Sequence, residues 1–254
     1  MSKDRKNISI SEEYDAIAEG YQEATKRELR LLVLEPTIRK HLGDLSGKKV
    51  LDLACGEGYS SRLCRDLGAE KITGVDVSPK EIDMARKLEV GVNKQSQIEY
   101  FVGDASKILL ANKFDVITAI MLLHYSDTKE KMVQMIKNIS LHLEKGGVFF
   151  TTIPNPEITT DYNNYGVKMQ FHGKDEGSSF TITLSDFSGK VLCSFTNYYW
   201  MKQTYQKLLE ENGFTVEWLD ILVSPDGVVK YGEKFWSDFK TLPVYAAIRA
   251  IKIK

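Results

Sequence analysis

Cysteine, proline and histidine are all scarce in this chain: three Cys, six Pro and four His among 254 residues. Three thiols cannot all pair, and Cys55, Cys64 and Cys193 lack metal-ligand spacing, so neither a disulfide framework nor a metal site is expected. No histidine is placed by motif to activate a cysteine, which leaves these residues as reduced packing side chains. An excess of either charge is missing too. Lys+Arg number 34 against 35 Asp+Glu, formal charge −1, and basic residues come in short groups such as Lys26-Arg27 and Lys48-Lys49. Such groups mark solvated faces, so no nucleic-acid partner is expected. No apolar run has the length of a membrane span, and the polar opening Met1 to Asn7 is unlike a secretory leader; a cytoplasmic chain with no membrane partner follows as the expectation. Internal repeats and low-complexity tracts are also absent. What remains is a globular composition, 43% hydrophobic, long enough for one large domain or one domain with an insertion.

The most informative stretch is Val50-Leu51-Asp52-Leu53-Ala54-Cys55-Gly56-Glu57-Gly58, followed by Gly74-Val75-Asp76-Val77-Ser78. It reads as a buried strand, a glycine loop, a helix over Tyr59 to Leu67 stopped by Gly68, and a second strand ending in a carboxylate. Glycine lets the backbone turn sharply and approach a ligand, and an acidic residue at the position of Asp76 can accept from both ribose hydroxyls. The plain alternative is a tight turn in an ordinary sheet. An adenosine-bearing cofactor accounts for more of the pattern, and dinucleotides fit poorly. Ser61 stands where their third glycine belongs, and Asp52 would repel a pyrophosphate while attracting an ammonium group.

Helix and strand then alternate, which predicts a parallel sheet with helices on both faces. Ser78-Pro79-Lys80-Glu81 reads as a capping box opening a helix to about Leu88. Strands are expected over Ile98 to Val102, Asp115 to Met121 and Val148 to Ile153. Between the last two, a helix capped by Asp127 with Glu130 carries the stripe Met132, Ile136, Ile139 and Leu143. After Pro154 the alternation breaks, and a hairpin, Ser179 to Leu184 with Val191 to Tyr198, is expected to cover the ligand edge. A helix from Met201 to Glu211, ended by Asn212-Gly213, and strands near Phe214 to Leu222 and Val244 to Ile253 complete the chain.

These segments resemble the ordered motifs of class I S-adenosylmethionine-dependent methyltransferases. The glycine loop matches the first motif, with Ala54 where the family often has glycine, and Gly74 to Ser78 matches the second. Val102-Gly103-Asp104-Ala105, Phe114-Asp115-Val116-Ile117 and Leu143 to Phe149 match the third, fourth and fifth. Asn155-Pro156, Asn164-Tyr165-Gly166, Phe195 to Tyr205, Ser224-Pro225-Asp226-Gly227 and Phe235-Trp236 are similar to toxoflavin synthase-like enzymes, which N-methylate a small fused heteroaromatic. The resemblance implies an α/β, Rossmann-like doubly wound sheet of seven strands, mostly parallel with the last antiparallel. It implies a single domain with an N-terminal helical lid over residues 1–44, a cofactor-binding core at 45–153, a hairpin insertion at 154–200 and a C-terminal part of the sheet at 201–254.

The resemblance also assigns roles. Ala54, Gly56 and Gly58 would hold the methionine portion of S-adenosylmethionine, Asp52 its ammonium, directly or through water, and Asp76 with Val77 the ribose. Asp104 would accept from the adenine amino group, Ala105 would present a backbone amide to the ring, and Met121 would lie near the sulfonium unless it is core filler. Tyr14 and Tyr21 would face the site from the lid, Tyr14 beside the reaction and Tyr21 beside the cofactor; the alternative is an amphipathic helix packed on the domain. His124 is either a proton acceptor, a substrate-positioning group, or a capping or surface residue. Tyr198, Tyr199 and Trp200 either stack on a flat substrate or belong to the core. The expected product is S-adenosylhomocysteine, the expected partner a small-molecule acceptor, and the expected state a monomer or homodimer. A protein or RNA methyltransferase, an NAD-dependent oxidoreductase and a non-catalytic S-adenosylmethionine-binding protein are the competing readings.

Overall fold

The computed structural model describes residues 28–92, 98–173, 175–186 and 188–254. Its centre is β1 (Lys49–Leu53), whose Val50, Leu51, Asp52 and Leu53 are all buried. A strand covered on both faces must be apolar at nearly every position, and this one pairs in parallel with β2 (Lys71–Asp76) and β4 (Phe114–Ile120). β3 (Ile98–Val102) adds to the far side of β2, and β5 (Leu143–Pro154) to β4.

Helices cover both faces of this sheet. On one side α1 (Glu35–Leu42) and α2 (Tyr59–Asp66) bring Ile38 and Leu63 onto Phe150 and Ala247. On the other side α4 (Lys129–His142) packs Met132, Ile136 and Ile139 against Leu51, Ile117 and Phe149. The cap of α4 is Thr128, whose hydroxyl accepts from the Lys131 N–H, rather than Asp127. Leu143 already starts β5, so helix and strand adjoin with no loop between them. α3 (Pro79–Glu89) begins at Ser78, whose hydroxyl accepts from the Glu81 N–H as a capping box requires. The Ser78 N–H goes to Asp76 instead of returning to Glu81.

The insertion is larger than a hairpin. β6 (Tyr162–Asn164), β7 (Val167–Phe171), β8 (Ser179–Ser185) and β9 (Val191–Tyr198) form a separate four-stranded antiparallel sheet. α5 (Lys202–Glu211), β10 (Phe214–Leu219), α6 (Pro225–Tyr231), α7 (Ser237–Thr241) and β11 (Tyr245–Lys252) follow. β11 runs antiparallel to both neighbours, giving the expected seven strands in the order β10-β11-β5-β4-β1-β2-β3. Tyr165 pins the inserted sheet to the C-terminal helices. Its ring stacks on Trp236 at 5.6 Å, and its hydroxyl donates to the Phe235 carbonyl and accepts from the Phe239 N–H.

Tyr100 of β3 lies across the inner glycines. A Cβ on Gly74 would sit 2.6 Å from its ring and 3.1 Å from Cys55 Sγ, and one on Gly58 would sit 2.2 Å from its hydroxyl oxygen. These glycines therefore make room for a side chain of the protein itself. Gly74→Ala is expected to destabilise by about 1–3 kcal/mol through overpacking. Adding Tyr100→Leu should bring the total below the sum of the two single losses in urea melts; strict additivity would remove Tyr100 as the cause.

Candidate functional site

The carboxyl ends of β1 and β4 open onto a cavity of about 130 Å³. Both strands leave the sheet through a non-glycine residue in the left-handed region, Ala54 at φ 56° and Met121 at φ 62°. Such geometry costs of order 1–3 kcal/mol at each residue and collects at functional sites. Here it turns the backbone so that Ala54, Cys55, Gly56 and Glu57 line one side of the cavity and Ile120 and Met121 the next. Opposite them stands the inserted sheet, with Val167, Met169, Ile182, Leu184 and Phe195.

The rim is charged. Arg30 lies 3.5 Å over the Tyr59 ring and 3.4 Å from Glu57, and Glu57 also pairs with Arg62. The Tyr59 hydroxyl donates to Glu35. The glycine loop is thus tied to the helical segment that precedes β1.

Beneath the loop, Asp52 is fully buried. One carboxylate oxygen accepts from the hydroxyls of Ser60 and Ser61 at 2.7 and 2.6 Å, the other from Thr118 at 2.8 Å. Burial raises its pKa and the three hydroxyls oppose the rise. Asp76 closes the loop from β2: its carboxylate accepts from the Gly56 N–H and the Ser78 N–H, both at 2.9 Å. Farther along the sheet edge, burial acts to raise the Asp104 pKa. The Ser106 hydroxyl and amide and the Lys107 ammonium outweigh it, so the carboxyl sits below its usual range. The Ala105 carbonyl is held at 2.8 Å by Asn138 of α4.

Of the anticipated site residues, Ala54, Gly56 and Met121 border the cavity. Asp76, Val77, Asp104 and Ala105 line up outside it at the ends of β2 and β3, while Gly58 caps α2 and Asp52 lies under the loop. Tyr14 and Tyr21 lie outside the described residues. Tyr198, Tyr199 and Trp200 border a smaller second cavity, and the Trp200 indole N–H is spent on the Ser126 carbonyl.

His124 differs most from its expected setting. It sits in a short 3₁₀ turn (Leu123–Tyr125), 1% exposed, on the second cavity and off the first. Burial pushes its pKa down to about 3, leaving an uncharged imidazole near neutral pH. Burial likewise raises the Cys55 and Cys64 thiols, in keeping with packing roles. No cluster of three metal-ligating side chains occurs among the described residues. Nor is any described helix long and apolar enough to cross a membrane.

Arg30, Glu57, Tyr59, Tyr125 and Tyr245 also border the cavity without having been anticipated. Glu57 and Tyr59 had a signal in their place within and just after the glycine loop, and Tyr125 in following the fourth strand beside His124; Arg30 and Tyr245 come from segments with no motif.

A model of the methyltransferase domain matches residues 50–147. The ubiquinone biosynthesis O-methyltransferase of Coxiella burnetii is 31% identical over 189 residues, 70% of this chain and 76% of that protein. The chain belongs to the S-adenosylmethionine-dependent methyltransferases. Two solved structures share the fold. An S-adenosylmethionine-dependent methyltransferase from Mesorhizobium loti has TM-score 0.62 at 19% identity, covering 85% of this chain and 96% of its own. A SAM-bound amino pentose methyltransferase from Micromonospora echinaspora has TM-score 0.58 at 16% identity, covering 99% and 100%. S-adenosylmethionine is thus the cofactor of this methyltransferase, and the site suits it. A left-handed glycine loop, a carboxylate at the end of β2 and an apolar cavity beyond them match a molecule with an amino-acid end, a ribose and a reactive methyl.

The His124 setting predicts that stability falls in acid. Between the folded value of about 3 and an unfolded value of about 6.5, the unfolded chain binds the proton and the folded chain does not. The contribution is complete above about pH 6.5 and is lost as pH falls, at up to about 1.4 kcal/mol per pH unit. Urea midpoints of His124→Phe should fall less than wild type between about pH 6.5 and 4; parallel curves would refute this.

Proposed function

We propose that this methyltransferase moves a methyl group to a nitrogen or oxygen of a small, flat, largely apolar metabolite. The likeness of its C-terminal motifs to toxoflavin synthase-like enzymes supports a fused heteroaromatic acceptor. The observation that carries the reading is the continuity of one cavity, from the glycine loop to the inner face of the inserted sheet. All five of the sheet residues lining it are apolar.

S-adenosylmethionine supplies an electrophilic methyl group, and the remaining task is alignment and exclusion of water. Holding two reactants in attack geometry lowers a barrier by about 7–11 kcal/mol, and the apolar walls supply the dry setting in which sulfonium charge disperses readily. Asp76 and the Gly56 to Gly58 loop hold the ribose and methionine portions in this reading, with Val77, Asp104 and Ala105 along the adenine. Asp52 keeps the loop in place from below and acts on the ammonium at most through the protein or water around it.

Proton removal by the walls is weakly provided for. The Glu57 carboxylate is engaged by Arg30 and Arg62, and His124 is set apart. An acceptor whose nucleophile carries a free lone pair, or loses its proton to solvent before binding, suits such a site.

The deciding experiment is transfer of labelled methyl from S-adenosylmethionine to a panel of heteroaromatic, phenolic and strongly charged acceptors. Turnover confined to charged acceptors would overturn the proposal. For the cofactor half, Asp76→Ala is expected to weaken S-adenosylhomocysteine binding by about 1.5–3 kcal/mol in calorimetric titration, through loss of charged hydrogen bonds. Unchanged affinity would remove Asp76 from the ribose site.

A further inference from the structure

Two cavities share a wall. Met169 and Pro154 border both the main cavity and a second one of about 10 Å³, roughly the space of one water molecule. The inserted sheet explains the division, because its inner face carries three cross-strand rows. They are Val167 with Leu184 and Cys193, Met169 with Ile182 and Phe195, and Phe171 with Phe180 and Asn197. Residues of the first two rows line the main cavity, while Phe171 and Phe180 of the third line the small one. The middle row is the partition.

The small cavity has polar atoms with nothing to bind. Neither ring nitrogen of His124, on this cavity, has a hydrogen-bond partner among the described residues. Asn197, fully buried in the third row but not part of the cavity lining, likewise leaves both amide atoms unmet. Native folds seldom leave such atoms unmet without a ligand or water to meet them. The Asn155 side chain, on the same cavity, is already bonded to the Pro243 carbonyl and the Glu157 N–H. Among the described residues no carboxylate, lysine or arginine lines this space, so its complement is polar but uncharged.

Resting on the methyltransferase reading above, we propose that the small cavity is the deep end of the acceptor site. Met169 swings aside for an acceptor whose rings lie along the middle row and whose far edge places an N–H or carbonyl oxygen against His124. Methionine suits the partition because it is unbranched and turns easily about three bonds. An uncharged imidazole offers one donor and one acceptor nitrogen, so it can meet either group.

The test uses the full chain saturated with S-adenosylhomocysteine and labelled with ¹⁵N at its four histidines. The His124 signals are identified by their loss in His124→Phe. The probes are 4-quinazolinone, a fused bicycle with adjoining N–H and carbonyl, and naphthalene, its hydrocarbon counterpart. 4-Quinazolinone should move the His124 ring nitrogens, more so in Met169→Ala, and naphthalene should not. His124→Phe should erase a preference of about tenfold for 4-quinazolinone over naphthalene. Absence of 4-quinazolinone binding, or binding that leaves the His124 nitrogens unmoved in both wild type and Met169→Ala, overturns the deep-end assignment. Failure of S-adenosylhomocysteine itself to bind would instead strike at the methyltransferase reading.

Discussion

The buried carboxylate of Asp52 is the constraint on which the site depends. It sits on the central strand, and its three hydroxyl partners come from the first turn of α2 and from β4. A charge taken out of water must be hydrogen-bonded or it destabilises the fold, so this group fixes the strand, the helix start and the neighbouring strand relative to one another. A negative charge at the N-terminus of α2 also suits the helix dipole. The glycine loop is strung between Asp52 below and Asp76 beside it, with Tyr100 filling the room behind.

The two left-handed residues, Ala54 and Met121, follow from this arrangement. Each stands just after a strand that the central carboxylate holds in place, where the chain must turn abruptly to form a wall. The loop is then joined through Glu57 and Arg30 to the segment preceding the sheet. Glycine loop, strand ends and leading helical segment are thus joined by side-chain contacts, while the inserted sheet meets the rest of the chain both through the aromatic cluster around Tyr165 and through Tyr125 against Phe195.

Much of this was readable from residues alone. The alternation of apolar runs with capped helices gives a sheet covered on both faces and its order of elements, because a doubly covered strand leaves few choices of residue; the seven-stranded sheet with its antiparallel last strand came from the family resemblance. The insertion was harder. Val167, Met169 and Phe171 alternate with Lys168 and Gln170, the period-two signal of a strand, but the run is short and lies between Asn163-Asn164 and Gly173, so only its longer neighbours stood out. The His124 setting was not legible at all. A histidine after a strand end looks available for chemistry, and only the packing of β9 and the Tyr198 to Trp200 run closes it off. Asp52 is a similar case, since its three hydroxyl partners are separated from it by 8, 9 and 66 residues.

The outer face of the inserted sheet bears Lys168, Gln170, Thr181, Thr183, Ser194 and Thr196, so its strands are polar on one side and apolar on the other. Side chains on one face recur every second residue, about 7 Å apart. On the proposal above, the reach of the acceptor space is stepped rather than continuous. In that proposal, trimming or filling one cross-strand row would move its end by a whole interval, about the width of one aromatic ring, while the glycine loop, anchored to the other sheet, stays where it is.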